Sequence, residues 1–560
     1  INERKRSTID RGSDDAKTKL LSMNRSGFDV REEATSDLAR VMLVSPDGQY
    51  IAHQQGFDVH VAARPMTGQP LDLGPRMTTL PDRRVSQSGG LYMHWSNDSH
   101  AISWSIGPDY LTVDVADALF DDEVTRKAVN LSMVAATSKP LGVTAITGAR
   151  LITMNDDRQV IDNATILIED NRILSVGKNL AIPREAKIFD ARGKTIMPGM
   201  IDAHAHGPYG RGNVVPEQNY NALAHLALGV TTVHNPSSSA AQVFAAAEYQ
   251  RAGKILAPRI FSTGNIVYGA KSVGFAPVSD IEDALRHVRR LKAQGAISIK
   301  NYNQPRREQR QQVIEAARQE GMLVVAEGGS LYHMDMNLIA DGSTGIEHNV
   351  PALNLYDDVI QFWSASQTGY TPTLVVVYGG LTSEDRHYAE TDVWKHPILS
   401  KFVPPTVLQP RSVRRLKAPE RDYRDDDAAR AAKRLLEAGV VVNTGAHGQR
   451  EGLATHWEMW SFARGGMTAM QVLSLATINP AEHLGMANDL GSIEVGKLAD
   501  LVIMNSNPLE NIRMTDDISH VMLNGRLYRA KDLSEEVTGN DQLEPFWFSE
   551  ERKSRVSAIN

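Results

Sequence analysis

Two histidines separated by one residue close the decapeptide Met197-Pro-Gly-Met-Ile-Asp-Ala-His-Ala-His206. Pro198 and Gly199 break the chain just before a short apolar run. Side chains alternate faces along a strand, so a strand over Met200–His206 is predicted to end with His204 and His206 pointing the same way. Two imidazoles on one face form a chelate for a divalent transition ion. The same pattern also suits two surface histidines beside a turn, and only the surrounding sequence separates the two.

Other apolar segments end in residues of similar chemistry: Ser-Ile-Lys300-Asn-Tyr, Val-Val-Ala-Glu327-Gly-Gly, Gly-Ile-Glu-His348-Asn and Asn443-Thr-Gly-Ala-His447-Gly-Gln. Strands are expected at Met200–His206, Thr231–Asn235, Arg259–Thr263, Ala296–Asn301, Leu323–Glu327, Gly345–Asn349, Thr373–Tyr378 and Val440–Thr444. Helical periodicity lies between them at Ile281–Gln294, Arg306–Glu320 and Asp425–Ala438, each followed closely by a stop glycine, Gly295, Gly321 or Gly439. Eight βα units over about 290 residues fit an α/β fold of the (β/α)8 TIM-barrel type, whose active site collects at the C-terminal strand ends. The structural alternative is a doubly wound sheet, but the sequence lacks the Gly-rich phosphate loop that would support it.

The chain has 560 residues, enough for several domains, with 42% apolar and 23% charged residues. Lys plus Arg number 60 against 67 Asp plus Glu, a net charge of −7, which speaks against a basic nucleic-acid stripe. The longest apolar runs are too short for a membrane span. Cysteine is absent, so a metal would rest on His, carboxylate or modified Lys.

Outside the centre, Val44-Ser-Pro-Asp-Gly-Gln-Tyr-Ile-Ala52 and Trp95-Ser-Asn-Asp-Ser-His-Ala-Ile-Ser-Trp104 align with Ser45 on Ser96 and read as hairpins about one propeller blade apart, with two unrelated hairpins as the alternative. Short strands are predicted at Val143–Met154, Ala164–Glu169, Arg172–Gly177 and Ala186–Phe189, and again at Gly491–Gly496, Asp500–Asn505, Ile518–Leu523 and Arg526–Arg529. The expected organisation is partial β-propeller blades with a linker over 1–138 and a composite β-sandwich from 139–198 plus 486–535. The barrel takes 199–485 and a tail 536–560. Two blades cannot close a ring of at least about four. The missing blades are therefore expected from a segment preceding Ile1 in a longer precursor, the favoured reading, or from a second chain.

Gly-Met-Ile-Asp-Ala-His-Ala-His, followed by Gly229-Val-Thr-Thr-Val233, resembles the amidohydrolase superfamily. So do Ala476-Thr-Ile-Asn-Pro-Ala-Glu-His-Leu-Gly485 and Gly491-Ser-Ile-Glu-Val-Gly-Lys-Leu-Ala-Asp-Leu501. The branch it is most similar to is the imidazolonepropionase- and prolidase-like one, in bacterial members fused behind a TolB-like propeller. The resemblance implies a metal-dependent hydrolase of amide C–N bonds in a peptide-like or cyclic amide, with one or two divalent ions, zinc foremost. His204 and His206 would hold one ion. Lys300 would be carbamylated and bridge two, or else serve as a substrate-anchoring ammonium.

Two positions depart from the family pattern. Glu327 stands where a strand-five histidine is usual, and His447 where a strand-eight aspartate is usual. The resulting ligand set is His204, His206, Lys300, Glu327, His348 and His447. His447 is also the candidate general base, because an imidazole pKa near 6.5 suits proton transfer at neutral pH. Tyr268 and Tyr302 are candidate oxyanion donors or simple rim packing, and His234 and His456 are either substrate contacts or structural. The excursion 379–421 is expected to be a lid or an interface.

The competing readings are a deaminase of the same superfamily and an impaired scaffold whose propeller binds a partner. A homo-oligomer is expected, in a periplasmic or secreted setting with the cytoplasm as the alternative.

Overall fold

The computed structural model describes residues 2–4 and 17–550, apart from 66, 76, 79, 122, 213, 270–276, 329, 330 and 353. The last ten residues of the expected tail lie outside the described residues. The chain divides into two compact units, Ile1–Val134 with Ile266–Met322, and Ala135–Asn265 with Leu323–Asn560.

The first unit contains three four-stranded sheets. One pairs Asn2–Arg4, Thr18–Ser22, Arg31–Ser36 and Leu71–Asp72, and the sequence reading did not anticipate it. The second runs Ala39–Val44, Tyr50–Gln55, Asp58–Ala63 and Asp82–Arg84. The third runs Leu91–Trp95, Ala101–Ile106, Asp109–Asp114 and Lys127–Asn130.

The two hairpins read as a repeat share one turn chemistry. Ser45 Oγ donates to Asp47 (2.6 Å) and accepts from Tyr50 N (3.0 Å); Ser96 Oγ donates to Asp98 (2.6 Å) and accepts from Ala101 N (2.9 Å). Gly48 (φ +78°) and Ser99 (φ +65°) occupy the same left-handed position, which glycine takes at the lower cost. Ile281–Gln294 and Arg307–Gln319 are the helices of this unit's second segment, and Gly295 closes the first of them at φ +111°.

In the second unit, one eight-stranded sheet is assembled from both flanks of the central segment. Its order is Arg172–Gly177, Val160–Glu169, Val143–Ile152, Thr195–Pro198, Leu501–Met504, Ile518–Leu523 and Arg526–Arg529, with Lys187–Asp190 beside Val143–Ile152. Alternating residues Ile146, Ile166, Ile168, Ile196, Leu501 and Ile503 bury its core face. The predicted strand at 491–496 is absent, because Gly491 and Gly496 both sit at φ +91° and break extended geometry.

The central segment forms short parallel ladders. Met200–Asp202, Val230–Asn235 and Arg259–Ser262 make one. Leu323–Glu327, Gly345–Glu347 and Gly369–Thr371 make another.

Two predicted strands of the central segment are also corrected. Over 373–378 the β-branched run instead forms a 3-10 turn, Leu374–Val376, after Thr373 at φ +50°. The buried Glu458 carboxylate accepts from Leu374 N (2.8 Å) and Val375 N (2.9 Å), so a tertiary contact overrides β propensity. Over 440–444 the chain makes one bridge, Tyr370 to Val442, rather than a ladder. The excursion 379–421 is a succession of short helices, including Ser383–Glu390 and Leu399–Phe402, packed through Leu399, Phe402 and Leu408. No helix among the described residues is long and apolar enough to cross a membrane.

Candidate metal centre

The strand carrying the opening motif ends at Asp202, earlier than expected, so strand alternation does not by itself aim His204 and His206. Tertiary hydrogen bonds fix the following residues instead. Ala203 N donates to Thr444 O (3.0 Å), and Ala205 N to His234 O (2.9 Å). The fully buried Asp202 carboxylate accepts from His204 N (3.1 Å), Ala446 N (3.1 Å) and Thr455 Oγ1 (2.8 Å). Burial pushes its pKa up to about 7 against these donors. Asp202 therefore ties the histidine pair to the loop that carries His447.

Four imidazoles meet here. The ring of His204 lies 4.9 Å from that of His206, 4.9 Å from His348 and 5.0 Å from His447. His447 is 4.6 Å from His206 and 5.1 Å from His348. One ligand atom each of His204, His348 and His447 fall within 4.8 Å of one another. His206 Nε2 is 3.2 Å from His204 Nε2, and Glu327 Oε1 is 3.5 Å from His348 Nε2.

Three of the rings are held from behind. His204 Nδ1 lies 2.5 Å from Glu347 Oε2, His206 Nδ1 3.1 Å from Asn235 Oδ1, and His348 Nδ1 2.8 Å from Thr373 Oγ1. An acceptor at Nδ1, as Glu347 and Asn235 supply for His204 and His206, places the proton there and leaves Nε2 with its lone pair, the form that binds a metal. The donor set of four imidazoles and the Glu327 carboxylate suits a borderline divalent ion such as zinc. The residues present therefore fit a metal.

The backbone is bent to achieve this. His348 (φ +69°), Thr373 (φ +50°) and His447 (φ +58°) are all left-handed, conformations that non-glycine residues adopt at a cost of about 1–3 kcal/mol each. Gly448 follows at φ +70°, and a Cβ there would stand 1.8 Å from His206 O. Only glycine admits so close an approach of the two loops.

Glu347, Asn235, Thr373 and Asp202 were not singled out from sequence. A buried carboxylate within the apolar segment Gly345–Glu347 was the signal available for the first. Tyr378, half-exposed with its ring 5.2 Å from His348, was also missed.

Both uncertain histidines prove to be bonded to backbone. His234 Nδ1 donates to Ala203 O (3.0 Å) and His456 Nε2 to Leu228 O (2.9 Å). Lys300, Tyr268 and Tyr302 belong to the first unit. There Lys300 is buried, its carbonyl accepts from Val267 N (3.0 Å), and the tyrosine rings stand 5.6 Å apart edge to face.

Residues 195–528 match the Amidohydrolase family. The chain is 39% identical over 64 residues to imidazolonepropionase of Saccharopolyspora erythraea, covering 11% of this chain and 16% of that protein. It is 27% identical over 207 residues to dihydroorotase of Geobacter sulfurreducens, covering 35% of this chain and 44% of that one. It thus spans less than half the length of either curated relative. The structure of a Xaa-Pro dipeptidase with bound methionine in its active site superposes with a TM-score of 0.54 at 24% identity, over 69% of this chain and 100% of the other, a likeness of fold. With the family match covering most of the segment that carries these histidines, the chain belongs to the amidohydrolase family.

Proposed function

We propose that this chain is a metal-dependent hydrolase of amide C–N bonds, acting on a peptide-like or cyclic amide. The observation that carries the reading is the convergence of His204, His206, His348 and His447, three of them with Nδ1 anchored. A divalent ion, zinc foremost, supplies there the charge that polarises a scissile carbonyl and lowers the pKa of water towards about 7.

The protein's own part is to hold the geometry and move the proton. Glu347 and Asn235 set the tautomers of His204 and His206, Thr373 holds the ring of His348, and Glu327 sets a carboxylate beside His348. His447, with one basic lone pair, is assigned either as a ligand of the ion or as the base that carries a proton from water to the leaving nitrogen. Replacing it separates the two: His447→Asn that loses metal marks a ligand, and His447→Asn that keeps metal but loses turnover marks a base. Full turnover would remove both roles. Tyr378, whose ring stands 5.2 Å from that of His348, is the proposed hydroxyl donor to the substrate carbonyl.

The parallel ladders are read as parts of a (β/α)8 barrel, and the two sheets with repeated serine turns as blades of a TolB-like propeller. That propeller would be completed by an N-terminal segment or a second chain. A homo-oligomer in a periplasmic or secreted setting belongs to the same reading. Lys300 enters through its motif as the lysine to be carbamylated, which bicarbonate dependence of metal loading would test.

Assay of chelator-free protein against Xaa-Pro dipeptides and cyclic amides, with metal content measured in parallel, tests the whole reading. Hydrolysis that a chelator abolishes and Zn(II) restores is expected. Protein that holds no divalent metal would instead favour the scaffold, and ammonia release from an amino-substituted ring the deaminase.

A further inference from the structure

The geometry points to a second metal site, in the first unit, formed by His53, His60 and Asp82 and suited to a divalent transition ion such as Zn(II). His53 and His60 face each other across the antiparallel pair Tyr50–Gln55 and Asp58–Ala63, in direct register. The third strand pairs Asp82 with Ala62, two residues along from His60, so all three side chains emerge on one face of the sheet.

Distances support a coordination shell. Asp82 Oδ1 lies 3.0 Å from His53 Nε2 and 3.6 Å from His60 Nδ1, and the imidazole rings are 5.0 Å apart. Ligands about 2.0–2.1 Å from a tetrahedral ion stand roughly 3.3 Å from one another, between the two spacings seen here. Two imidazoles and a carboxylate form a donor set used by Zn(II) and Fe(II).

Burial explains why these groups do more than pair with each other. The side chain of His53 is 0% exposed and that of Asp82 8%. Among the described residues His53 Nδ1 has no hydrogen-bond partner, while Nε2 faces the Asp82 carboxylate, the pair an ion would bridge. His60, 16% exposed, lines a cleft with Gln55, Asp58 and Arg84, through which an ion and a water as fourth ligand can enter. Arg84 lies opposite His60 in register, a positive charge that keeps the affinity moderate.

The site does not depend on the centre proposed for hydrolysis. The full chain is stripped with a chelator, recharged with Zn(II) chloride and desalted, and bound zinc is counted per chain. Wild type is expected to hold one equivalent more than His60→Asn, with hydrolytic turnover of the variant unchanged. His204→Asn with His206→Asn is expected to retain one equivalent, and its Co(II)-charged form to show visible d–d absorption that adding His60→Asn abolishes. Equal zinc in wild type and His60→Asn would overturn the assignment. So would a His204→Asn/His206→Asn protein that binds no zinc, a result that stands whether or not the His60 variant folds.

Discussion

The two histidine groups of this chain are built on opposite plans. His53 and His60 lie seven residues apart on the two strands of one hairpin, and ladder register alone sets them face to face. They share a single carboxylate, and none of the three side chains stands on left-handed backbone. His204, His206, His348 and His447 come from separate strand ends and loops, and His204 reaches its partner Glu347 across 143 residues of sequence. Two of these four rings stand on left-handed backbone, and three have a partner of their own behind them. Local pairing presents ligands with little strain but leaves ring orientation loosely held. Tertiary closure costs strain and brings ring nitrogens from distant segments within 4.8 Å of one another, the kind of clustering an ion needs.

His456 marks what burial without convergence does to an imidazole, and it gives the largest effect. Its pKa is depressed from the ordinary 6.5 to about 4, chiefly by burial. The unfolded chain binds this proton more readily, so stability rises with pH between about 4 and 6.5 and is lost as pH falls through that window. The full span is worth about 3 kcal/mol. Urea midpoints measured from pH 7 to 4 are expected to fall less for His456→Gln than for wild type. An equal fall would show that the ring charges freely.

The next effect compares the partners behind the rings. Glu347→Gln removes the charged partner of His204 and is expected to weaken metal binding about 10–100-fold by competition with a chromophoric chelator. Thr373→Val, behind His348, removes a neutral hydroxyl and is expected to cost less than about 10-fold. If Thr373→Val cost as much as Glu347→Gln, the charge on Glu347 would have no special part in holding His204.

Sequence legibility followed the same division. Helix Ile281–Gln294 and strand Leu323–Glu327 were readable because their periodicity and stop residues are local. His204, His206, Glu327, His348 and His447 were readable because each follows an apolar segment, and the structure brings all five together. Their aim was not readable: Asn235 and Thr373 are polar residues with no local signal, and they matter through contacts 29 and 25 residues away. The run Thr373–Tyr378 failed as a strand for the same reason, since Glu458, 84 residues from Leu374, turns it into a 3-10 helix.

The most direct test titrates Zn(II) into chelator-stripped His60→Asn protein, in which the hairpin site is disabled, while following hydrolysis of a Xaa-Pro dipeptide and cyclic-amide panel. Turnover should rise with bound zinc and level off at one or two equivalents. The same titration of a variant also carrying His204→Asn and His206→Asn should stay at least about 10³-fold lower, the scale of a lost metal contribution of several kcal/mol. Full turnover in the stripped protein, or in that variant, would contradict a metal centre built on these histidines.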